Sequence, residues 1–298
     1  MFDTICELIV RDPDYPPRAW VLDTLSRVLN GQMYDVLPYH FHDERGAGGE
    51  YIPLRKRRPS VKYPLCRIVV EDAVSLLFSE GHFPTIDCQD RITQNALARI
   101  MRDCRMNLVM TDAATRGSIG SVAILMKVLA GRIFLQVIES TYLTPMWSPS
   151  EPDTLEKVTE RYKVTGAQLT ANGYHIPLQG EEYWFQRTWD RESEIWYVPS
   201  LVIEGPPVTT DTARTIRHGL GFVPMVWIRN LPGNSSTGDP NDGACTFRPA
   251  IDTQIDATKR LTAGQAARAL SAALDGVDRA RANRHGLNNG QINGGHRI

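Results

Sequence analysis

The chain has 298 residues and a mass of 33.4 kDa, which allows one large or two modest domains and excludes a mini-protein held together by disulfides. Hydrophobic residues make up 42% and charged residues 22% of the sequence, the composition of a globular protein rather than of a disordered or fibrous one. The net charge is only −1, although the last 51 residues carry eight Arg and Lys against four Asp.

The cysteines and the apolar pattern indicate a protein of a reducing compartment. Cys6, Cys66, Cys88, Cys104 and Cys245 are widely spaced and form no Cys-x-x-Cys pair, which argues against a disulfide framework and against a zinc site. No apolar run approaches the roughly 20 residues of a membrane span, and the start of the chain has no basic segment. We therefore expect a cytoplasmic protein that is neither secreted nor membrane-spanning.

Three stretches in the first part of the chain are predicted to be helical. Apolar residues at helical spacing indicate helices over 16–29 and 68–78, and the clearest amphipathic stripe predicts one continuous helix over 92–108. Residues 31–64 are rich in Gly and Pro and include the basic run 55–58. This composition favours an exposed arm or loop over a nucleic-acid contact.

The middle of the chain is predicted to be rich in β-structure. Two apolar runs, 121–129 and 132–138, are joined by Ala130 and Gly131, which predicts a hairpin. The same criteria predict four further strands, at 182–189, 194–198, 201–203 and 223–228.

Aromatic residues are concentrated in the second predicted hairpin. Six of them lie between residues 183 and 197 and alternate over both faces of the strands. We expect one face to pack on the body of the protein and the other to meet another molecule. A subunit interface is one candidate, with Trp184, Trp189 and Trp196 as its contact residues.

A long helix is predicted near the C-terminus, over 250–274. It has few large apolar residues and much alanine, and a helix of about 25 residues is about 37 Å long. With so little to bury, such a helix requires packing partners from outside its own domain. Residues 275–298 are rich in Gly, Asn and Arg and are predicted to be a flexible tail. The predicted organisation is an α+β domain over 1–247, the helix at 248–274 and this tail.

No catalytic, cofactor or metal site is predicted. The segment from Gly117 to Ser121 lacks the lysine of a phosphate-binding loop and precedes a strand, and the segment from Gly219 to Pro224 leads into a strand rather than a helix. His40 and His42 are two metal-capable residues in a predicted loop, without a second pair at ligand spacing. The sequence therefore predicts neither an enzyme nor a metalloprotein.

The order of the segments resembles the wing part of tailed-bacteriophage portal proteins. The resemblance covers about residues 16–273, and each motif becomes informative through its place in the order. The segments that carry it are Arg67-Ile68-Val69-Val70-Glu71-Asp72-Ala73-Val74 leading to Gly81-His82-Phe83-Pro84, then Gly117-Ser118-Ile119-Gly120-Ser121-Val122-Ala123, Val137-Ile138-Glu139-Ser140-Thr141-Tyr142-Leu143-Thr144-Pro145, His218-Gly219-Leu220-Gly221-Phe222-Val223-Pro224-Met225-Val226, and Pro249-Ala250-Ile251-Asp252-Thr253-Gln254-Ile255-Asp256.

The resemblance implies an α+β wing-like domain followed by a stem-type helix, in a ring commonly of twelve subunits at one capsid vertex. Double-stranded DNA would pass through the axis without sequence specificity. The implied partners are copies of the chain, the terminase large subunit, the major capsid and scaffold proteins and a head-to-tail adaptor. The protein would be found in the virion, with no enzymatic activity and no cofactor. The residues expected to contact neighbouring subunits or to line the channel are Ile251, Ile255, Arg260, Leu261 and Arg268.

The sequence departs from the portal pattern at its end. Portal proteins continue beyond the first stem helix into a clip, a returning helix, a tunnel loop and a crown, for which the residues after Leu274 leave no room. Two hypotheses account for this: a gene interrupted by a frameshift, or a shortened relative that does not conduct DNA. Two other functions also stay open, a nucleic-acid-processing enzyme with scattered catalytic residues and a monomeric phage adaptor.

Overall fold

The computed structural model of the protein describes residues 9–78, 83–151, 153–231 and 235–290. These residues form helices and antiparallel sheets, which confirms the predicted α+β class. They divide into two compact units, a first unit of residues 9–10, 28–66 and 249–290 and a second unit of residues 11–27 and 67–248. Cys6, the Gly81-His82 pair of the portal resemblance and residues 291–298 of the predicted tail lie outside the described residues.

The described residues contain six α-helices. They are α1 (Pro17–Leu29), α2 (Leu65–Phe78), α3 (Arg91–Asp103), α4 (Met106–Gly117), α5 (Gly166–Ala171) and α6 (Ile251–Gly290). The first two lie close to their predicted bounds because their apolar spacing and their Pro and Gly flanks are local signals.

The predicted helix over 92–108 is instead two helices, α3 and α4. Arg105 separates them in a left-handed conformation, with φ 51° and ψ 51°, which breaks the run of helical hydrogen bonds. No residue of α3 is buried, and the side chain of Ile92 is 81% exposed. The apolar stripe that predicted this helix is therefore not part of the core of the described chain.

Two antiparallel sheets form the centre of the second unit. The first has the order β2-β1-β9 and consists of β1 (Ser121–Leu129), β2 (Arg132–Glu139) and β9 (Met225–Arg229). The second has the order β3-β4-β5-β6-β8, and β7 also pairs with β5. Its strands are β3 (Leu143–Trp147), β4 (Leu155–Thr165), β5 (Glu182–Trp189), β6 (Ser193–Trp196), β7 (Ser200–Leu201) and β8 (Ile216–Arg217).

One of the buried clusters of the second unit joins the two sheets. Ala123 and Leu125 of the first sheet share one buried cluster with Leu143, Val158 and Trp189 of the second. Trp189 is fully buried, and burying a side chain of this kind contributes about 1.5–3 kcal/mol. Apolar residues of both sheets are thus packed together in this cluster.

The predicted arm or loop at 31–64 is irregular, as expected, and most of its residues are exposed or half-buried. Apart from the single turn Leu54–Lys56, it has no helix or strand among its described residues. Met33, Ile52 and Arg57 are nevertheless almost fully buried in the first unit. The guanidinium of Arg57 donates hydrogen bonds to the Phe41 carbonyl and to the Tyr51 hydroxyl. Part of the basic run therefore stabilises the segment internally.

Helix α6 also differs from the prediction, since it continues to Gly290 through much of the expected flexible tail. Alanine and arginine are frequent between 275 and 284, and both are strong helix formers. The glycine and asparagine content predicts a flexible tail, but this helix propensity outweighs it up to Gly290. The predicted division at residues 247 and 274 changes as well, because α6 belongs to one compact unit with residues 28–66.

Candidate functional site

The first three turns of α6 bury one face in the first unit. The buried positions recur at intervals of three and four residues, which is the spacing of one face of a helix. They are Ile251, Gln254, Ile255, Thr258 and Thr262.

Polar contacts fix this buried face to the segment that precedes α2. The Gln254 side-chain oxygen accepts a hydrogen bond from the backbone N–H of Cys66 at 2.8 Å. The Thr258 hydroxyl accepts one from the backbone N–H of Tyr63 at 3.4 Å. Because α6 is anchored in this way, its start is a structural part of the first unit.

The anchoring corrects two of the predicted site residues. Ile251 and Ile255 are each only 1% exposed, so neither is available to line a channel or to contact a neighbouring subunit. The sequence analysis treated the whole apolar seam of this helix as one surface. The seam is divided instead, because residues 28–66 supply a core for its first turns.

The remaining predicted residues of α6 lie on the surface. Leu261 is 46% exposed, and Arg260 and Arg268 are exposed. Leu261, Gln265 and Arg268 are separated by four and three residues and therefore share one face of the helix. From 263 to 268 and at 271 and 272 the side chains are exposed, with a half-buried Ala266 as the exception.

This surface combines aliphatic and cationic groups on a regular helix. Leu261 offers an apolar contact, and the guanidinium groups of Arg260 and Arg268 offer several hydrogen-bond donors to carboxylates or phosphates. We define Arg260 and Leu261, together with residues 263–268, 271 and 272, as the exposed stem of α6. The predicted subunit or channel contacts of Arg260, Leu261 and Arg268 lie on this surface and stay a prediction.

The aromatic hairpin is placed differently from the prediction. Trp184 is 2% exposed and Trp189 is fully buried, and Trp196 is half-buried with the guanidinium of Arg187 5.4 Å from its ring centre. Trp184 packs edge to face on Tyr15 of the same unit, with ring centres 5.6 Å apart. Both tryptophans of β5 are therefore covered by their own chain and do not form a subunit interface.

Charged groups hold the segment before α1 against β4. The Lys163 ammonium lies 2.6 Å from carboxylate oxygens of both Asp12 and Asp14, and it lies 5.2 Å from the ring centre of Trp184. Burial by itself would lower the pKa of Lys163, but the hydrogen bonds and charges of the two carboxylates outweigh it and raise the pKa to about 12. This contact explains why the second face of the hairpin is covered.

A buried ion pair at the edge of the two sheets escaped the sequence analysis. The guanidinium of Arg18 binds both carboxylate oxygens of Asp242, at 2.7 and 2.8 Å, and it also donates to the carbonyls of Ser140 and Leu143. The Thr237 hydroxyl donates a further hydrogen bond to Asp242. No local signal relates residues 224 positions apart, so the sequence alone does not reveal this pair.

The glycine-rich segment before β1 is a connection rather than a phosphate-binding loop. It joins the end of α4 to β1, and the Gly120 carbonyl accepts hydrogen bonds from the backbone N–H groups of Asn230 and Gly243, each at 2.9 Å. A side chain at position 120 would lie 3.3 Å from a methyl group of Leu22. The turn therefore allows three segments of the second unit to approach closely.

The described residues contain no group of three or more His, Cys, Asp or Glu side chains that could hold a metal ion. His40 and His42 stack with ring centres 5.5 Å apart. Among the described cysteines, Cys66, Cys88 and Cys104 are free thiols. No helix in the part of the chain that the structure describes has the length and apolarity needed to cross a membrane.

Comparisons with known proteins do not assign the chain to a family. No model of a protein family matches it, and no curated protein matches it either. The resemblance to portal proteins therefore depends on the order of the sequence segments alone.

Proposed function

We propose that the chain is a structural subunit of a ring at the capsid vertex of a tailed bacteriophage, through which double-stranded DNA is packaged and ejected. The observation that carries this proposal is the exposed stem of α6. Its side chains between 263 and 268 have no packing partner that buries them within the described chain. The order of the portal-like segments from 67–74 to 249–256 supports the same function.

The physical reason for a ring is the imbalance along α6. Isolated helices are marginally stable in water, and most of their stability in proteins comes from packing of one face. The first three turns of α6 obtain this packing from residues 28–66, whereas the exposed stem does not. Copies of the same helix placed side by side around an axis would supply it, and a contact between unlike faces of identical subunits forms a ring when the rotation between neighbours closes.

The partners of this ring follow from the proposal. A packaging ATPase, namely the terminase large subunit, would dock on it during filling, and capsid, scaffold and head-to-tail adaptor proteins would surround it. The DNA would be contacted through its phosphates, for which arginine is well suited. The chain itself would have no catalytic role.

The mass of the purified full chain tests the proposal. Size-exclusion chromatography with light scattering should give a species many times heavier than the 33.4 kDa monomer, and electron microscopy should show rings with a central opening. A chain that stays monomeric up to its solubility limit contradicts the proposal. So does a closed dimer without a central opening.

A double variant locates the contact. Leu261→Glu combined with Arg268→Glu should shift the chain to smaller species, because it places acidic groups on the shared face of the exposed stem. Arg217→Glu is the matched control, since its side chain is 79% exposed in the other unit and the change is also a charge reversal. If the control lowers the mass as much as the double variant does, the exposed stem is not the contact surface.

A further inference from the structure

Strand β9 lies at an edge of its sheet. The order of this sheet is β2-β1-β9, so β9 pairs with β1 on one side and, among the described residues, with no strand on the other. An edge strand presents unpaired backbone N–H and C=O groups, and these are a template for an added strand. The register of β9 shows which of its residues present these groups.

The hydrogen bonds at both ends of β9 define its outward residues. The N–H of Asn230 donates to the Gly120 carbonyl, and the N–H of Met126 donates to the Pro224 carbonyl. Every second residue of an antiparallel strand bonds the same neighbour, so the backbone groups of Trp227 and Arg229 point away from β1. Within the described residues no hydrogen bond satisfies the backbone groups of these two residues.

A cleft follows this free edge. It has a volume of about 410 Å³ and is lined by residues of β9 together with Trp147 of β3 and Leu155 of β4. Phe222 and Val226, at the rim, are 52% and 61% exposed. Apolar side chains of this size usually lie in a core or an interface, and a concave exposed patch of them indicates a binding surface.

We propose that this cleft binds an extended peptide segment of a partner protein, which adds as a fourth strand to the free edge of β9. The outward backbone groups of Trp227 and Arg229 lie about 7 Å apart along the strand, which corresponds to about three residues of an added strand. They would bond the main chain of the partner, and the cleft between Trp147 and Trp227 would take apolar side chains at alternate positions.

The size of the cleft selects this occupant. Its volume lies within the range of about 300–1,000 Å³ that suits small ligands and short segments, and it is too small for a folded element. A row of backbone donors and acceptors at strand spacing matches a main chain rather than a small apolar molecule. The inference concerns the second unit and does not depend on the proposed ring, which concerns α6.

Proline at position 229 provides a selective test. The backbone N–H of Arg229 points away from β1 and takes no part in pairing with it, so Arg229→Pro removes an outward donor and leaves the ladder intact. Arg229→Ala is the matched control, because it removes the same side chain and keeps the donor. Thermal unfolding should show that both variants are folded.

The probe is a phage-displayed library of random twelve-residue peptides, selected on the immobilised full chain. We expect the enriched peptides to alternate apolar residues and to lack proline at the centre. A synthetic version of an enriched peptide should bind the Arg229→Pro variant at least tenfold more weakly than it binds the wild type. Its affinity for the Arg229→Ala variant should stay within about twofold of its affinity for the wild type. Binding should also slow hydrogen exchange at the amides of Trp227 and Arg229.

Three outcomes would overturn the proposal. The first is a selection without peptides that distinguish wild type from Arg229→Pro. The second is a bound peptide whose affinity persists after methylation of all its central amides. In the third, Arg229→Pro changes only the mass of the chain in solution, which would assign the edge to a second copy. A ring without peptide binding leaves the proposed function intact, and peptide binding by a monomer leaves this inference intact.

Discussion

At the scale of single residues, the contact between Arg18 and Asp242 links distant parts of the second unit. The side chain of Asp242 is fully buried and that of Arg18 is 7% exposed. Removing two charges from water is costly, but here the guanidinium also bonds the carbonyls of Ser140 and Leu143. Removing one partner of such a pair lowers the stability by more than the pair contributes on balance, because the remaining charge stays buried without a counter-charge.

We predict that Asp242→Asn lowers the free energy of unfolding by about 3–5 kcal/mol. The substitution keeps the shape of the side chain but leaves the Arg18 guanidinium without its counter-charge. Urea denaturation followed by tryptophan fluorescence measures the change. The control is Glu192→Gln, which breaks the exposed pair with Arg217 and should change stability by less than about 1 kcal/mol. Equal losses in the two variants would contradict the role given to burial.

At the scale of elements, the break between α3 and α4 shows the limit of periodicity. The apolar spacing continues across Cys104 and Arg105, although the backbone does not. A left-handed arginine costs about 1–2 kcal/mol relative to the right-handed helix. The packing of α4 on β1 and β2 imposes this conformation, since Ala113 is buried together with Val122 and Ile124.

We predict that Arg105→Gly raises the free energy of unfolding by about 0.5–1 kcal/mol, because glycine adopts a positive φ without steric cost. The matched control is Arg99→Gly, in the exposed interior of α3. It should lower stability by about 1 kcal/mol, since glycine is a poor helix former. Chemical denaturation of both variants distinguishes the two effects. A loss of stability in both would show that Arg105 is not left-handed in solution.

The other elements show which signals are local. β1, β2 and β5 lie at or within one residue of their predicted bounds, because continuous or alternating apolar runs are typical of strands. β4 was not predicted, although it lies between β3 and β5 in its sheet. Its sequence, Leu155–Thr165, mixes charged and β-branched residues, and Lys163 acquires its partners only in the folded chain.

At the scale of the whole molecule, α6 has two different environments along its length. The buried stripe of the first unit extends from Ile251 to Thr262, whereas the exposed stem begins on another face at Arg260 and continues beyond the stripe. Local opening is easiest where few apolar contacts are present. The two parts of one continuous helix should therefore differ in their dynamics.

We predict that backbone amides at 254–262 exchange hydrogen slowly in dilute protein, whereas those at 264–272 exchange fast. Exchange measured by mass spectrometry on the full chain, with fragments that separate the two parts, is the readout. The variant Ile255→Ala should accelerate exchange in the first part, because a buried isoleucine is lost, and Leu261→Ala should leave it nearly unchanged. Equal protection along all of α6 in the monomer would contradict the division.

The sequence by itself determined the α+β class, the β1–β2 hairpin, the positions of α1 and α2 and the presence of a long C-terminal helix. These features depend on residues that are close together along the chain, so their spacing is enough to indicate them. Tertiary structure alone decided that Trp184, Trp189, Ile251 and Ile255 are buried, and it alone brought Arg18 to Asp242. Periodicity identifies which face of an element is apolar, whereas burial depends on what covers that face, and here the covering residues are distant in sequence.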